Sequence, residues 1–271
     1  VFVYPAQEKE GGCQMELHKP TMRVLKILEL VDSGPKAGAN LTDISTAIAV
    51  PKGTLSPILR TLSEARYLQF NEDNGRYTIG FKAFELGLAY GSNTDLLAMV
   101  QQRMVALVKS VGEICQLGIL SGLDVFYLLK ENPDNAISIR STVGARIPAY
   151  ATGLGKALLS GKQNDEIQAL YKDYPFKKFT DNTLTCVDDL VAQIDGVRSS
   201  GVAYEQEESK GDVCCQAVPL VIDNQIKAAI SVTVPKFRYL PEKQELITQQ
   251  LKRQKQIIED VCKVQHYHFE Y

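Results

Sequence analysis

The chain has 271 residues, 45% apolar and 23% charged, with a formal net charge of −2. These are the proportions of a globular protein with room for one large or two ordinary domains. The near-neutral balance exerts no global pull on nucleic acid, and the lack of an apolar run of about eighteen residues leaves a membrane span unsupported, so a cytoplasmic protein is expected.

The first residues, VFVYPAQEKEGG, lack the basic start and long apolar core of a signal peptide, and 1–18 read as a disordered tail. Pro20 to Asp32 reads as a helix with the stripe Val24, Leu25, Leu28 and Val31, stopped by Ser33-Gly34-Pro35. After a loop over Lys36 to Ala39, Asn40 is a good N-cap and Asp43 completes a capping box. The short helix that follows, Leu41 to Ile48, turns Leu41, Ile44 and Ile48 inward. A tight connection at Ala49-Val50 leads to VPKGTLSPILRTLSEA, with Pro51 as its first helical residue. There Leu55, Ile58, Leu59 and Leu62 share one helical face, while Lys52, Gly53, Thr54, Ser56 and Arg60 lie on the other. A helix buried on one side and lined with short or basic donors on the other suits a DNA major groove. Two strand-like runs, Tyr67–Phe70 and Arg76–Ile79, flank a turn containing Asn74-Gly75. Three helices and a hairpin make a winged helix-turn-helix over 19–80, with Arg76 at the base of the wing in reach of a phosphate. Between Lys19 and Glu85, nine Lys or Arg face seven Asp or Glu. So small a surplus predicts weak DNA binding by one copy and a need for dimerisation.

Residues 81–111 read as linker helices: Phe81 to Tyr90, an interruption at Gly91-Ser92-Asn93, then Thr94 to Ser110 with Leu97, Val100, Met104, Leu107 and Val108 on one side. That apolar face fits packing against a twin subunit and packing onto its own domain equally well. From 112 to 271 the pattern is a mixture of strands (Ile114–Leu120, Val125–Lys130, Ala136–Arg140, Val202–Glu205, Val213–Val221, Lys227–Val234) and helices (Thr152–Ser160, 164–172, 187–199, Glu242–Val264). This order predicts an α+β sensor-like domain.

Few residues suit catalysis. His18, His266 and His268 sit near the ends, so the central two hundred residues offer no imidazole base for a serine or cysteine nucleophile. Six cysteines form no C-x-x-C pair, and reduced thiols are expected. Gly155-Lys156 is not a P-loop, because Tyr150 and Ala157 stand where that loop needs glycine and Ser or Thr. Glu205, Glu207 and Glu208 lack a histidine to complete a metal site and read as solvated surface. No catalytic residue, metal or cofactor is expected.

With these segments in place, the sequence resembles the IclR family of bacterial transcription regulators from about Lys19 to about Gln265. The resemblance is carried by NLTDISTAIAVPKGTLSPILRTLSEARYLQFNEDNGRYTIG in the first half, and by ATGLGKALLSG, GVAYEQEES and CCQAVPLVIDNQIKAAISVTVP in the second. It implies a winged helix, a linker helix and a C-terminal GAF-like α/β effector-binding domain. It further implies a homodimer or homotetramer on palindromic double-stranded operator DNA, responsive to a small organic acid such as a sugar acid, keto acid or aromatic acid. By position, Lys52, Gly53, Thr54, Ser56 and Arg60 would lie in or beside the groove, with Arg76 on the wing. The effector pocket would use Gly153, Leu154, Glu205, Cys215, Ser231 and Thr233, with Cys214 the rival of Cys215. Gly153 to Gly155 would offer backbone N–H groups to a carboxylate. The chain departs from the family at Gly53 (usually serine), Pro57 (usually polar), Ala49 (commonly glycine) and Glu205 (usually aspartate). The competing expectation is a metabolite-processing enzyme domain fused to a DNA- or protein-binding module.

Overall fold

The computed structural model describes residues 17–33, 37–92, 95–134 and 142–267. Contacts divide the chain into two units, Val1–Asn93 and Thr94–Tyr271.

The first unit runs α1 (Lys19–Ser33), β1 (Ala39–Asn40), α2 (Leu41–Ile48), α3 (Lys52–Glu64), β2 (Leu68–Asn71), β3 (Arg76–Ile79) and α4 (Phe81–Ser92). The reciprocal cap of α2 is present: the Asn40 side chain accepts the Asp43 N–H at 2.9 Å, and the Asp43 carboxylate accepts the Asn40 N–H at 3.1 Å. α2 ends at Ala49, whose φ of 53° is left-handed; its N–H donates to the Ser45 carbonyl. α3 begins one residue later than expected. Pro51 is its N-cap, with extended ψ, and its carbonyl accepts the Thr54 and Leu55 N–H groups. Leu55, Leu59 and Leu62 of α3 close a small core with Ile27, Val31, Ile44 and Leu68, while Ile58 is only half-buried. On α1 the buried pair is Ile27 and Val31, and Leu25 is exposed. Of the expected stripe, Val24, Leu28 and Val31 pack on this core and Leu25 alone faces outward, with Ile27 buried beside them. The wing adds β1, unforeseen, to give a sheet ordered β1-β3-β2. Its turn is held by the Asn71 side chain, which accepts the Asp73 and Asn74 N–H groups, and by Gly75 at φ 66°. The Gly34-Pro35 stop lies outside the described residues.

The second unit contains α5 (Asp95–Val111), β4 (Ile114–Ser121), β5 (Asp124–Glu131), β6 (Arg146–Pro148), α6 (Gly153–Leu159), α7 (Asn164–Tyr171), α8 (Val187–Ser200), β7 (Ala203–Gln206), β8 (Val213–Ile222), β9 (Gln225–Pro235) and α9 (Pro241–Gln265). The strands form an antiparallel sheet ordered β6-β5-β4-β9-β8-β7. The strand expected at Ala136–Arg140 lies outside the described residues, and β6 was not foreseen. Period-2 alternation assigns the two faces. Cys115, Leu117, Val218, Leu220, Ile230, Val232 and their row-mates pack under α5 and α9. Ala217, Ala229, Val125 and Tyr127 pack under α6, α7 and α8. A bulge opposite Leu117/Gly118 puts Leu128 out of register, so Tyr127 stays on the α6 face while Leu128 and Leu129 both join the α5 face. The apolar side of α5, left open between two partners by the sequence, is buried within its own unit: Leu96, Val100, Met104 and Leu107 are at most 3% exposed. The helices read as one connector are thus shared out, α4 with the first unit and α5 with the second.

Candidate functional site

Two sites emerge, one in each unit. In the first, α3 buries its leucines and leaves Lys52, Gly53, Thr54, Ser56, Pro57 and Arg60 exposed on the opposite side. Nothing lies within 4 Å of where a Gly53 Cβ would stand, so this glycine leaves room for contact from outside. Pro57 sits in the sixth position of the helix. It removes the N–H that would have bonded the Gly53 carbonyl. Arg60 pairs with Glu64 along the surface at 2.9 Å. Arg76 is more occupied than its place on the wing suggested. Its guanidinium donates to the Gly38 carbonyl at 2.6 Å and approaches the Asp43 carboxylate at 3.4 Å, tying the wing to the cap of α2. The other donors of its fork are what it could offer a phosphate.

In the second unit, the α6-facing side of the sheet encloses a cavity of about 310 Å³. All six residues expected of the pocket line it: Gly153, Leu154, Glu205, Cys215, Ser231 and Thr233. Register explains the convergence. Cys215 pairs with Glu205 on one side and Thr233 on the other, and Ser231 pairs with Gln116, so four strands present one row of side chains after another. Cys214, one residue away, points into the α5–α9 core. Sequence reasoning did not find Gln116, Tyr127, Arg146, Thr152, Phe179, Ser209 or Lys210, which also line the cavity. Gln116 is the polar centre: its Oε1 accepts the Thr233 hydroxyl at 3.0 Å and the Ser231 hydroxyl at 3.5 Å. A glutamine inside the apolar run ICQLGIL was the signal available for it, and it is buried.

The turn above the cavity corrects one expectation. Thr152 is the N-cap of α6, and its hydroxyl takes the Gly155 N–H at 3.0 Å. Gly155 is therefore no part of a carboxylate cradle, and its role is steric. A Cβ there would stand 2.1 Å from the Ala149 carbonyl oxygen. Gly153 is a different case: a Cβ would meet the Cys215 sulfur at 3.2 Å, at the cavity wall. The N–H groups of Gly153 and Leu154 belong to the first turn, where a helix has no partners of its own for them.

Glu205 is 2% exposed. Burial pushes its carboxyl up to about 7, assisted by the nearby Glu208 charge and opposed by N–H groups of Ser209 and Glu208 and by Lys156. Burial likewise pushes the Cys215 thiol up to about 12, reinforced by Glu205. Such a thiol is the reverse of an activated nucleophile. Beside the cavity, Lys156 is fully buried on α6 and donates to Glu208 at 2.7 Å, Gln193 at 2.6 Å and the Tyr204 carbonyl at 2.7 Å. β7 is the last strand of its sheet, and its outward backbone groups are met by side chains instead of a neighbour. Lys156 takes the Tyr204 carbonyl, Glu208 approaches the Gln206 N–H at 3.4 Å, and Asn182 donates to the Gln206 carbonyl at 3.2 Å. The three clustered acids thus have separate partners: Glu208 Lys156, Glu207 Lys236, and Glu205 the loop N–H groups. Among the described residues no group of three His, Cys, Asp or Glu side chains is arranged to hold a metal, and no helix is long and apolar enough to cross a membrane.

Comparison with known proteins agrees with both halves. Residues 20–72 match the IclR helix-turn-helix domain, and residues 88–259 match the bacterial transcriptional regulator IclR C-terminal domain. The HTH-type transcriptional regulator XynR of Escherichia coli K12 is 30% identical over 220 residues, covering 81% of this chain and 87% of that one. Among solved structures, the IclR regulator from Alicyclobacillus acidocaldarius shares the fold with a TM-score of 0.78 at 21% identity, over 90% of this chain and 98% of that one. An IclR homolog from Microbacterium hydrocarbonoxydans, solved in complex with 4-hydroxybenzoate, aligns with a TM-score of 0.73 at 21% identity, over 90% and 99% of the two chains.

Proposed function

The chain belongs to the IclR family of DNA-binding transcription regulators, and from that premise we propose that it grips a palindromic operator as a dimer or tetramer and alters its grip when a small organic acid occupies the cavity of the second unit. The observation that carries the DNA half is the bare donor face of α3, with Lys52, Thr54, Ser56 and Arg60 outward and the leucines inward. In a dimer, two such helices meet half-sites about 34 Å apart or a multiple of that. The exposed Phe81 and Phe84, whose rings lie 5.8 Å apart on one side of α4, favour self-association, as an exposed apolar patch in water does. On this reading the first unit, with α4 at its end, is the DNA-binding module and the second, beginning with α5, is the effector domain. The cavity supports the effector half: hydroxyls, an amide and a buried acid ring a space the size of a small metabolite. Sugar acids, keto acids and aromatic acids are the classes to try, and 4-hydroxybenzoate, bound by the Microbacterium homolog, represents the last. The ligand acts only through a difference in its affinity for two arrangements of the chain. On this reading the protein is a regulator and not an enzyme and works in the cytoplasm; the Cys215 thiol, kept neutral by burial, argues against that cysteine as a nucleophile.

The test is selection of bound duplexes from a random library, followed by mobility shift at several salt concentrations. Arg60→Ala should weaken operator binding about tenfold or more and leave ligand affinity alone. Wild-type affinity in that variant would remove α3 from the groove, and turnover of a bound acid by the purified chain would overturn the regulator-only reading.

A further inference from the structure

The effector cavity contains an acid to which no cation is dedicated. Glu205 faces Cys215 across the β7–β8 pair. Its Oε1 accepts the Glu208 N–H at 2.6 Å and the Ser209 N–H at 3.0 Å, with the Ser209 hydroxyl at 3.4 Å. The buried cation of α6, Lys156, is committed to Glu208, Gln193 and the Tyr204 carbonyl. Among the described residues no ion pair involves Glu205; the pair at this corner joins Lys156 to Glu208.

The other ionisable groups around Glu205 are few. β8 brings Cys215 and β5 brings Tyr127, and burial raises both so that they stay neutral through physiological pH. β6 brings Arg146, which donates to Ser121 at 2.6 Å and lies over the Phe126 ring. The loop after β7 brings Glu208 and Lys210, and α6 brings Lys156. β9 and β4 contribute only Ser231, Thr233 and Gln116 to the wall. Glu205 is the one carboxyl among the described residues of the cavity wall, and it shares that wall with Gln116, Ser231 and Thr233.

We propose that an anionic ligand enters this cavity together with one proton, taken from solvent onto the Glu205 carboxylate, so that Glu205 meets the bound anion as a neutral hydrogen-bond donor. The proposal rests on the effector reading of the cavity. Glu205 can take the proton on Oε2 without losing its loop bonds, because those end on Oε1. Its burial already favours the neutral form, with half-titration at about 7. A second negative charge in the same small space favours that form further. By linkage, ligand affinity is then full below the titration of the ligand-free carboxyl and falls about tenfold per pH unit above it.

Calorimetry on the full chain tests this with gluconate, pyruvate and 4-hydroxybenzoate as probes, at about pH 6 and about pH 8.5, in buffers of different ionisation heat. The expected result is affinity ~30-fold weaker at the higher pH, with uptake there of about one proton per ligand bound. Glu205→Gln, a neutral mimic of the protonated acid, should abolish both the pH dependence and the proton uptake. Binding by wild type that is flat across this range and takes up no proton overturns the proposal while leaving the cavity as the effector site. Failure of all three probes at the lower pH, or binding that survives filling the cavity by Leu154→Trp, overturns the effector reading and the proposal with it. If Glu205→Gln fails to fold, the wild-type proton count alone decides.

Discussion

Lys156→Met removes the ammonium beside the cavity while keeping most of the side chain's length. The consequence follows from the partners left behind. Glu208 is 5% exposed, its Oε1 takes the Lys156 hydrogen bond, and its Oε2 is buried with no hydrogen bond among the described residues. Without Lys156 a buried carboxylate stands uncompensated, which costs about 3–5 kcal/mol. The Tyr204 carbonyl on the sheet edge also loses its donor. Adding Glu208→Gln removes the unpaired charge, and the double variant should regain about 2 kcal/mol of the loss, the remainder reflecting the unmet backbone groups of β7. In a unit of this size each kcal/mol moves the melting point about 2–4 °C, so the single variant should melt about 6–20 °C lower. Thermal unfolding of the full chain followed by circular dichroism measures this. A Lys156→Met protein that melts within about 3 °C of wild type, or a double variant no more stable than the single, refutes the account of Lys156 as the counter-charge and edge cap of this corner.

Three other outcomes are expected. Ser231→Ala should weaken ligand binding by about 1 kcal/mol through the loss of one hydroxyl on the Gln116 network, while ligand-free operator binding stays unchanged; an unaltered ligand titration would take Ser231 out of the pocket. Ala49→Gly should stabilise the first unit by about 1 kcal/mol in denaturant unfolding, because φ of 53° strains an alanine and suits a glycine; a loss of stability would show that this turn is unstrained. Glu205→Gln should gain stability over wild type as pH rises. The folded carboxyl titrates at about 7 against an ordinary 4.5, so the wild-type cost is absent below the lower value and fully developed above the higher one. Its upper bound is about 3 kcal/mol, and a melting-point difference between the two proteins that stays constant from pH 4 to pH 8 would contradict the burial of that charge.

The helical face of α3 was legible because its signal is local. Leucines at 55, 59 and 62 fix one side of a helix wherever that helix packs, and Asn40 and Asp43 cap α2 using only each other. Family resemblance, carried by ordered motifs, supplied the six cavity residues that the structure brings together. The start of α3 was legible only to within a residue, since Pro51 is tolerated as readily at the cap as in the first turn.

Sequence by itself determined what depends on neighbours within a turn or a strand: the main helices and the longer strands, though not β1 or β6, the exposed donors of α3, and the fact that Cys214 and Cys215 face opposite ways. Only the tertiary structure decided which of the two cysteines looks into the cavity, because that depends on pairing with Glu205 and Thr233 from distant strands. The same holds for Gln116, Tyr127 and Arg146, which reach the cavity from strands outside the family motifs. It holds too for Arg76, held by the Gly38 carbonyl, and for α5, whose apolar side closes its own core. Periodicity gives the direction of a side chain relative to its own backbone, and register between remote segments gives what it meets there.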